Sequence, residues 1–287
     1  MKDFTLKTYR CLLSAILEAG YAFYTFEDWC DGKVRGRYVI LRHDVDLKAE
    51  NSLATAGIEA EMGIRATYYF RIVPQSNQPV VIKAIAELGH EIGYHYEDLS
   101  LMDGDIEKAI THFTLQLESF RQFYPVRTIC MHGSPTSKWD NRDIWKIIDY
   151  RNYGIVGEPY LDFLTNKSDS IKDKTYFTDT GRMWDGARFN LRDKLMSTEF
   201  NILSTNSTGL KTEIQSSNKS IDATEKNKIH STFELINWLK TTTENNIMIT
   251  THPQRWTDKP GEWFLELVKQ NVKNIVKQLI VRRQDNR

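Results

Sequence analysis

Five strand-like apolar runs that each end on histidine or aspartate constrain the fold of this chain more than any other feature. The residues that close these runs are Asp44 and Asp46, His95, His132, Asp179 and His252. Neither histidine nor aspartate favours strands, so chance would scatter them instead of repeating them at strand ends. In parallel sheets and barrels, catalytic side chains lie at the carboxyl ends of the strands. The pattern therefore predicts an α/β fold with a functional site along one edge.

Apolar residues recur at helical spacing between these runs, which indicates that helices alternate with strands. The predicted helices cover residues 5–19, 47–62, 80–88, 105–123, 140–150, 231–241 and 261–281. The predicted strands cover residues 38–41, 66–70, 90–94, 126–131, 153–156, 175–178 and 247–251. A repeated strand, helix, strand order is typical of a parallel sheet or barrel with right-handed crossovers. Seven strands favour an incomplete barrel over the eight-stranded form.

Charge and hydropathy narrow the classes of partner. The 287 residues include 38 acidic and 38 basic side chains, so no excess charge favours nucleic acid or an anionic membrane. We expect a small-molecule partner and leave the oligomeric state open. No run approaches about 18 consecutive apolar residues, and residues 1–7 lack the apolar region of a secretory signal. The sequence therefore predicts a cytoplasmic protein with no membrane span and one domain over residues 1–287.

One polar segment interrupts the alternation of helices and strands. Residues 205–227 are rich in serine, threonine, asparagine and lysine and contain few large apolar residues. Such a segment cannot bury enough apolar surface to form part of a core. Because long loops in compact domains tend to be functional or disordered, we predict a surface insert that folds over the substrate.

The residues at the strand ends suit a divalent metal ion. One carboxylate and two imidazoles leave a coordination position open for water, and zinc is the commonest ion in such sites. We assign Asp46 and His95 as the first two ligands and His132 as the third. Asp44 could accept a proton from an attacking water, and His252 could protonate a leaving amine. Together these roles predict metal-assisted hydrolysis of an amide.

Several of these polar residues also have plausible structural roles. Asp46 could cap the helix that follows it, since aspartate is a favoured N-cap. His132 could instead be a turn residue. His43 is expected to be structural because it points to the opposite side of its strand from Asp44. His90 begins a predicted strand and is also expected to be structural.

Three motifs together resemble a known family. His-Asp-Val-Asp stands at residues 43–46, Gly-His-Glu-Ile-Gly stands at residues 89–93, and an apolar strand ends at His252. These motifs resemble the NodB-homology polysaccharide deacetylases (carbohydrate esterase family 4), especially their sugar-modifying members. The resemblance implies a distorted (β/α)7 barrel. It also implies a catalytic base at Asp44, a metal ligand at Asp46 and a catalytic acid at His252.

The sequence departs from the second motif of that family. The family places two metal-binding histidines four residues apart, and here His95 fits the first position but Leu99 stands at the second. The resemblance leaves the third ligand to His132, which lies where the family's third motif shapes the groove. Glu97 or Asp98 could substitute for it.

Four residues are predicted to contact the substrate. Residues 179–185 are loosely similar to the family's fourth motif, which implies that Asp179 or Arg182 orients a catalytic side chain. The same similarity implies that Trp184 stacks on a sugar. Glu158 follows the predicted strand at residues 153–156 and either binds substrate or faces solvent.

The expected function is the metal-dependent removal of an acetyl or formyl group from the nitrogen of an amino sugar. The substrate would be a precursor of a bacterial surface polysaccharide such as O-antigen or capsule, free or linked to a carrier. Because Leu99 stands where the family has a metal-binding histidine, a catalytically silent barrel that only binds sugar remains an alternative. A glycoside hydrolase with Asp44 and Asp46 as its carboxylate pair is a third, less favoured class, and it would need no metal.

Overall fold

The computed structural model describes residues 2–134, 137–164, 174–184 and 229–285. Within these residues, seven parallel strands form one curled sheet, a half-barrel. The strands are β1 (Ala22–Tyr24), β2 (Tyr38–Val45), β3 (Thr67–Phe70), β4 (Glu91–Tyr96), β5 (Ile129–Met131), β6 (Lys174–Thr178) and β7 (Asn246–Thr251). Their order is β5-β4-β3-β2-β7-β6, and β1 pairs with the first residues of β2. The predicted α/β class with a parallel sheet is confirmed. The predicted polar insert at residues 205–227 lies outside the described residues.

Helices alternate with most of these strands along the chain. They are α1 (Leu6–Glu18), α2 (Phe26–Cys30), α3 (Ala49–Glu61), α4 (Pro79–Glu87), α5 (Asp98–Leu101), α6 (Ile106–Arg121), α7 (Thr232–Thr241) and α8 (Pro260–Asp285). Side-chain caps fix several starts: Thr5 accepts a hydrogen bond from the amide of Thr8 in α1, and Ser231 forms a capping box with Glu234 in α7. Among the described residues, no helix has the length and apolar character needed to cross a membrane.

The described residues contain the predicted number of strands, but three elements differ from the prediction. Residues 153–156 form no strand, because the chain makes a 3-10 turn at Tyr150–Tyr153 and then adopts a left-handed conformation at Gly154 (φ 71°). The three-residue strand β1 was not predicted, because it is too short to show alternation. The helix predicted at residues 140–150 is a shorter 3-10 helix, Asn141–Lys146.

The outer side of β2 carries a buried polar cluster that contains His43. The His43 ring lies 2.8 Å from a carboxylate oxygen of Glu59 and 2.6 Å from the hydroxyl of Thr251, and it has no exposed surface. His90 is also buried: its Nδ1 accepts the amide of Ala66 at 3.1 Å. Both histidines join strands to helices, so their predicted structural roles are confirmed.

A second buried carboxyl, Glu91, lies at the amino end of β4, far along the strand from the predicted site. It accepts hydrogen bonds from the hydroxyls of Thr67 (2.7 Å) and Thr128 and from the amide of Glu27 (2.9 Å). Only 1 % of Glu91 is exposed, and burial raises the pKa of its carboxyl to about 7. Glu91 therefore changes charge in the folded protein near neutral pH.

We expect the stability of the protein to fall as pH rises through 7 because of Glu91. Its pKa is higher in the folded than in the unfolded chain, so the folded state binds more protons between the two values. Between pH 5 and pH 8, the wild type should lose on the order of 2 kcal/mol more unfolding free energy than Glu91→Gln. Denaturant unfolding at both pH values measures this difference. Glu87→Gln, at an exposed position, is the control, and parallel pH curves for wild type and Glu91→Gln would refute the assignment.

Candidate metal centre

The carboxyl end of β2 presents two aspartates at one edge of the sheet. Asp44 is the penultimate residue of β2, and Asp46 follows its last residue, with its amide donating to the carbonyl of Asp44 at 3.0 Å. The next helix, α3, begins after Lys48, which has a left-handed conformation, and no side chain caps it. The alternative role of Asp46 as a helix cap is therefore wrong, and its carboxylate is available for another function.

Two histidine side chains from separate strand ends converge beside Asp46. His95 Nε2 lies 3.6 Å from Asp46 Oδ1, and His132 Nδ1 lies 3.2 Å from the same oxygen. The two histidine nitrogens are 3.3 Å apart. Asp46, His95 and His132 thus form a group whose ligand atoms all lie within 4.8 Å of one another. A second group among the described residues, Asp44, His95 and Cys130, shares His95 with it.

The polar atoms of the first group fit a divalent ion. Nδ1 of His95 lies 2.9 Å from the carbonyl oxygen of Cys130, which can only accept, so Nδ1 carries the proton. Nε2 of His95 is therefore the nitrogen that faces Asp46 Oδ1 and His132 Nδ1. Oδ1 of Asp46 is buried and accepts no hydrogen bond within the described residues. A buried carboxylate oxygen without a donor beside two imidazoles suggests that a cation completes the arrangement.

Electrostatics keep Asp46 ionised in this cluster. Burial is the largest influence and raises the pKa of the Asp46 carboxyl, but His132, His95 and His252 lower it, and the net shift is downward. The resulting pKa lies well below the ordinary range. An ionised carboxylate is the form that binds a metal, so Asp46, His95 and His132 could hold a metal ion.

Glu97 and Asp98, the two alternatives to His132 as third ligand, contact other residues. Both carboxylate oxygens of Asp98 accept from Tyr94 at 2.9 Å, and one is 2.6 Å from Nδ1 of His112, so Asp98 belongs to a separate cluster. Glu97 is paired with Arg71 and belongs to neither ligand group. The geometry therefore favours His132 over Glu97 and Asp98 as the third ligand.

Asp44 lies beside the ligand group and is held by a buried arginine. Arg42 donates to both of its oxygens, from Nε at 2.8 Å and from Nη2 at 2.6 Å, and Nη2 also donates to the hydroxyl of Tyr160 at 3.0 Å. Burial raises the pKa of the Asp44 carboxyl, but Arg42, His95 and other cations lower it to about 2. Oδ2 of Asp44 is 3.9 Å from Nε2 of His95. Sequence analysis missed Arg42, which precedes Asp44 on the same side of β2.

His252 approaches the group from the end of β7, with its ring fixed by Asp179. Nδ1 of His252 is 2.6 Å from Asp179 Oδ1, and its amide donates to Asp179 Oδ2 at 3.0 Å. The indole of Trp256 and the guanidinium of Arg255 also donate to this carboxylate. Nε2 of His252 then lies 3.9 Å from Oδ2 of Asp46. Asp179 therefore orients His252.

The structure does not bring the other three predicted substrate-binding residues to the ligand group. Glu158 is fully buried, and its carboxylate accepts the amides of Met131 (2.9 Å) and Leu161 (2.8 Å). Burial raises the pKa of Glu158 to about 7. The guanidinium of Arg182 lies over the aromatic ring of Phe4, 4.7 Å from the centre of that ring. Trp184 is 3 % exposed, so it offers little surface for a sugar to stack on.

No family model matches the sequence, and no curated protein or solved structure matches it either. Functional assignment therefore depends on the geometry around Asp46 and on the motifs in the sequence. The geometry places one carboxylate and two imidazoles together, with a second carboxylate and a third imidazole at their edge. Such an arrangement can bind a cation and transfer protons on two sides of it.

Proposed function

We propose that this protein is a metal-dependent hydrolase that removes an N-acyl group, acetyl or formyl, from an amino sugar. The proposed fold is a distorted (β/α)7 barrel of the NodB-homology type, and the proposed location is the cytoplasm. One observation supports the activity above all others: Asp46 Oδ1, His95 Nε2 and His132 Nδ1 converge between Asp44 and His252.

Asp46, His95 and His132 would hold the ion, and zinc suits this ligand set best. When bound, a divalent ion polarises a carbonyl oxygen and lowers the pKa of water toward neutrality. The protein's own contribution is to fix the three ligands before the ion arrives. The bond from His95 Nδ1 to the carbonyl of Cys130 does this for one of them.

Asp44 would accept a proton from the attacking water. Its pKa of about 2 makes it a weak base, so its contribution comes mainly from position and from its permanent negative charge. Arg42 supplies the position, because a two-point contact fixes the plane of the carboxylate. The charge of Asp44 would also stabilise positive charge that develops near His95.

His252 would donate a proton to the leaving amine. Asp179 accepts from Nδ1, which leaves Nε2 as the nitrogen that faces Asp46 and the substrate. This carboxylate and imidazole pair therefore matches the role that an amide hydrolase needs opposite its base.

The carbohydrate substrate class rests on the motifs that resemble deacetylases. A precursor of a surface polysaccharide, linked to a nucleotide or lipid carrier, is the substrate that we propose. A glycoside hydrolase is less well supported, since its general acid needs a raised pKa. The pKa values of Asp44 and Asp46 both lie below the ordinary range, so neither carboxylate suits that role.

A substrate panel tests the proposal. Metal-free protein, prepared with a chelator, would be incubated with N-acetyl and N-formyl amino sugars, free and nucleotide-linked, with and without one equivalent of zinc. We expect a free amine to form from at least one sugar, only after zinc is added. Zinc-loaded protein that binds sugars without releasing an amine would instead indicate a sugar-binding barrel. Cleavage of a glycosidic bond that persists in chelator would indicate a glycosidase.

A further inference from the structure

A charged pair lies on the side of His132 that faces away from Asp46. Arg71 donates from both Nε (2.8 Å) and Nη2 to a single oxygen, Oε1, of Glu97. The other oxygen, Oε2, accepts from the hydroxyl of Ser134 at 3.1 Å. Glu97 is 5 % exposed, so its carboxylate is buried and held at a fixed orientation by these partners. Neither contact has a role in the proposed reaction.

The two ring nitrogens of His132 face different partners. Nδ1 faces Asp46 Oδ1 at 3.2 Å, and Nε2 faces Glu97 Oε2 at 3.8 Å. A histidine that binds a metal through one nitrogen carries its proton on the other, and a carboxylate beside that proton fixes the tautomer and the ring orientation. Glu97 Oε2 occupies that position for His132.

The main chain around His132 is fixed by hydrogen bonds that do not involve its imidazole. β5 ends at Met131, so His132 lies just beyond the strand, and Ser134 has a positive φ of 24°. The amide of His132 donates to the carbonyl of Tyr96 at 2.8 Å, and the side chain of Asn141 donates to the His132 carbonyl at 3.0 Å. These bonds fix the main chain, and neither of them reaches the imidazole. His95, by contrast, has its ring fixed by the carbonyl of Cys130.

We propose that Glu97, held by Arg71, is the positioning residue for His132 and accepts its Nε2 proton so that Nδ1 is presented to a metal ion. This inference rests on the proposed metal site, but it does not depend on the reaction or on the substrate. It gives Glu97 a supporting role and not a ligand role, because its two oxygens already have Arg71 and Ser134 as partners.

Metal affinity in a double-mutant cycle tests this inference. Zinc affinity, measured by competition with a chelating dye, should fall about 10- to 100-fold in Glu97→Gln, as expected when a ligand loses its supporting hydrogen bond. In a His132→Ala background, Glu97→Gln should cause no further loss, because the group on which Glu97 acts is absent. Equal losses in both backgrounds would show that Glu97 acts on the fold in general and would overturn the proposal.

A second measurement covers the case in which His132→Ala binds zinc too weakly for competition. The Nε2 proton of His132 in the zinc-loaded protein should give a ring N–H resonance, shifted downfield by its acceptor and identified by its loss in His132→Ala. Glu97→Gln should move that resonance upfield, and an unchanged resonance would overturn the proposal. Glu27→Gln is the matched control, because Glu27 also pairs with an arginine, Arg127, and should leave zinc affinity unchanged. Failure of the wild type to bind zinc would contradict the metal site itself, which is a separate result.

Discussion

Replacing His132 with alanine should lower the affinity for zinc by about 10-fold or more, since even replacing a residue that hydrogen-bonds to a ligand lowers metal affinity by that factor. Asp46→Ala and His95→Ala should have effects of the same or larger size. The reason is geometric: each side chain supplies one of three atoms that lie within 4.8 Å of one another. Removal of any one leaves two protein ligands. Isothermal titration or chelator competition on the purified variants measures the change.

His230→Ala is the control for these variants, because His230 is exposed and lies in neither ligand group. It should bind zinc as the wild type does. The ligand variants should retain the circular dichroism spectrum of the wild type. Wild-type zinc affinity in His132→Ala would exclude His132 as a ligand and would redirect attention to Glu97, whose Oε2 lies 3.8 Å from Nε2 of His132.

Asp44→Asn and His252→Ala should each lower the turnover rate by about 100- to 10,000-fold while zinc remains bound, which is the usual contribution of positioned proton transfer. Neither residue belongs to the Asp46, His95 and His132 group. Rates would be measured on the substrate identified from the panel, with zinc content determined on the same samples. Loss of zinc in Asp44→Asn would make Asp44 a ligand and would favour the second group, which contains Cys130.

Asp44→Asn should also destabilise the fold, so partial unfolding of this variant would lower its measured turnover rate as well. Arg42 is fully buried, and the substitution removes the charge that pairs with it. Breaking a buried ion pair from one side typically costs about 3 to 5 kcal/mol. His252→Ala leaves no buried charge without its ion-pair partner, although Asp179 loses its hydrogen bond with the His252 ring. Rates should therefore be measured at a temperature at which thermal unfolding shows both variants to be folded.

The strand ends could be predicted from the sequence because they depend on local patterns. Apolar runs that close on His95, His132 or His252 are visible without any structure, and a parallel sheet brings such ends to one edge. Residues 153–156 show a similar apolar run, but Gly154 turns the chain there and no strand forms. The strand β1 has no visible pattern in the sequence, because its three residues pair with β2 but show no period.

The partners of the site residues could not be predicted in this way. In the sequence, nothing distinguishes Arg42 from the other residues of its strand, yet its guanidinium fixes Asp44. The contacts of Glu97 with Arg71 and Ser134 join residues 26 and 37 positions away, and no local pattern encodes such distances. The role of Asp179 followed only from resemblance to a family, although its hydrogen bond to His252 is the shortest in which His252 takes part.

An anomalous difference map from zinc-loaded crystals tests whether Asp46, His95 and His132 bind a metal ion. Data collected at the zinc absorption edge locate the ion without any assumption about its ligands. We expect one strong peak within bonding distance of Asp46 Oδ1, His95 Nε2 and His132 Nδ1, at about 2.0 to 2.2 Å from each. A peak on Asp44, His95 and Cys130 instead, or no peak at this edge of the sheet, would contradict this expectation.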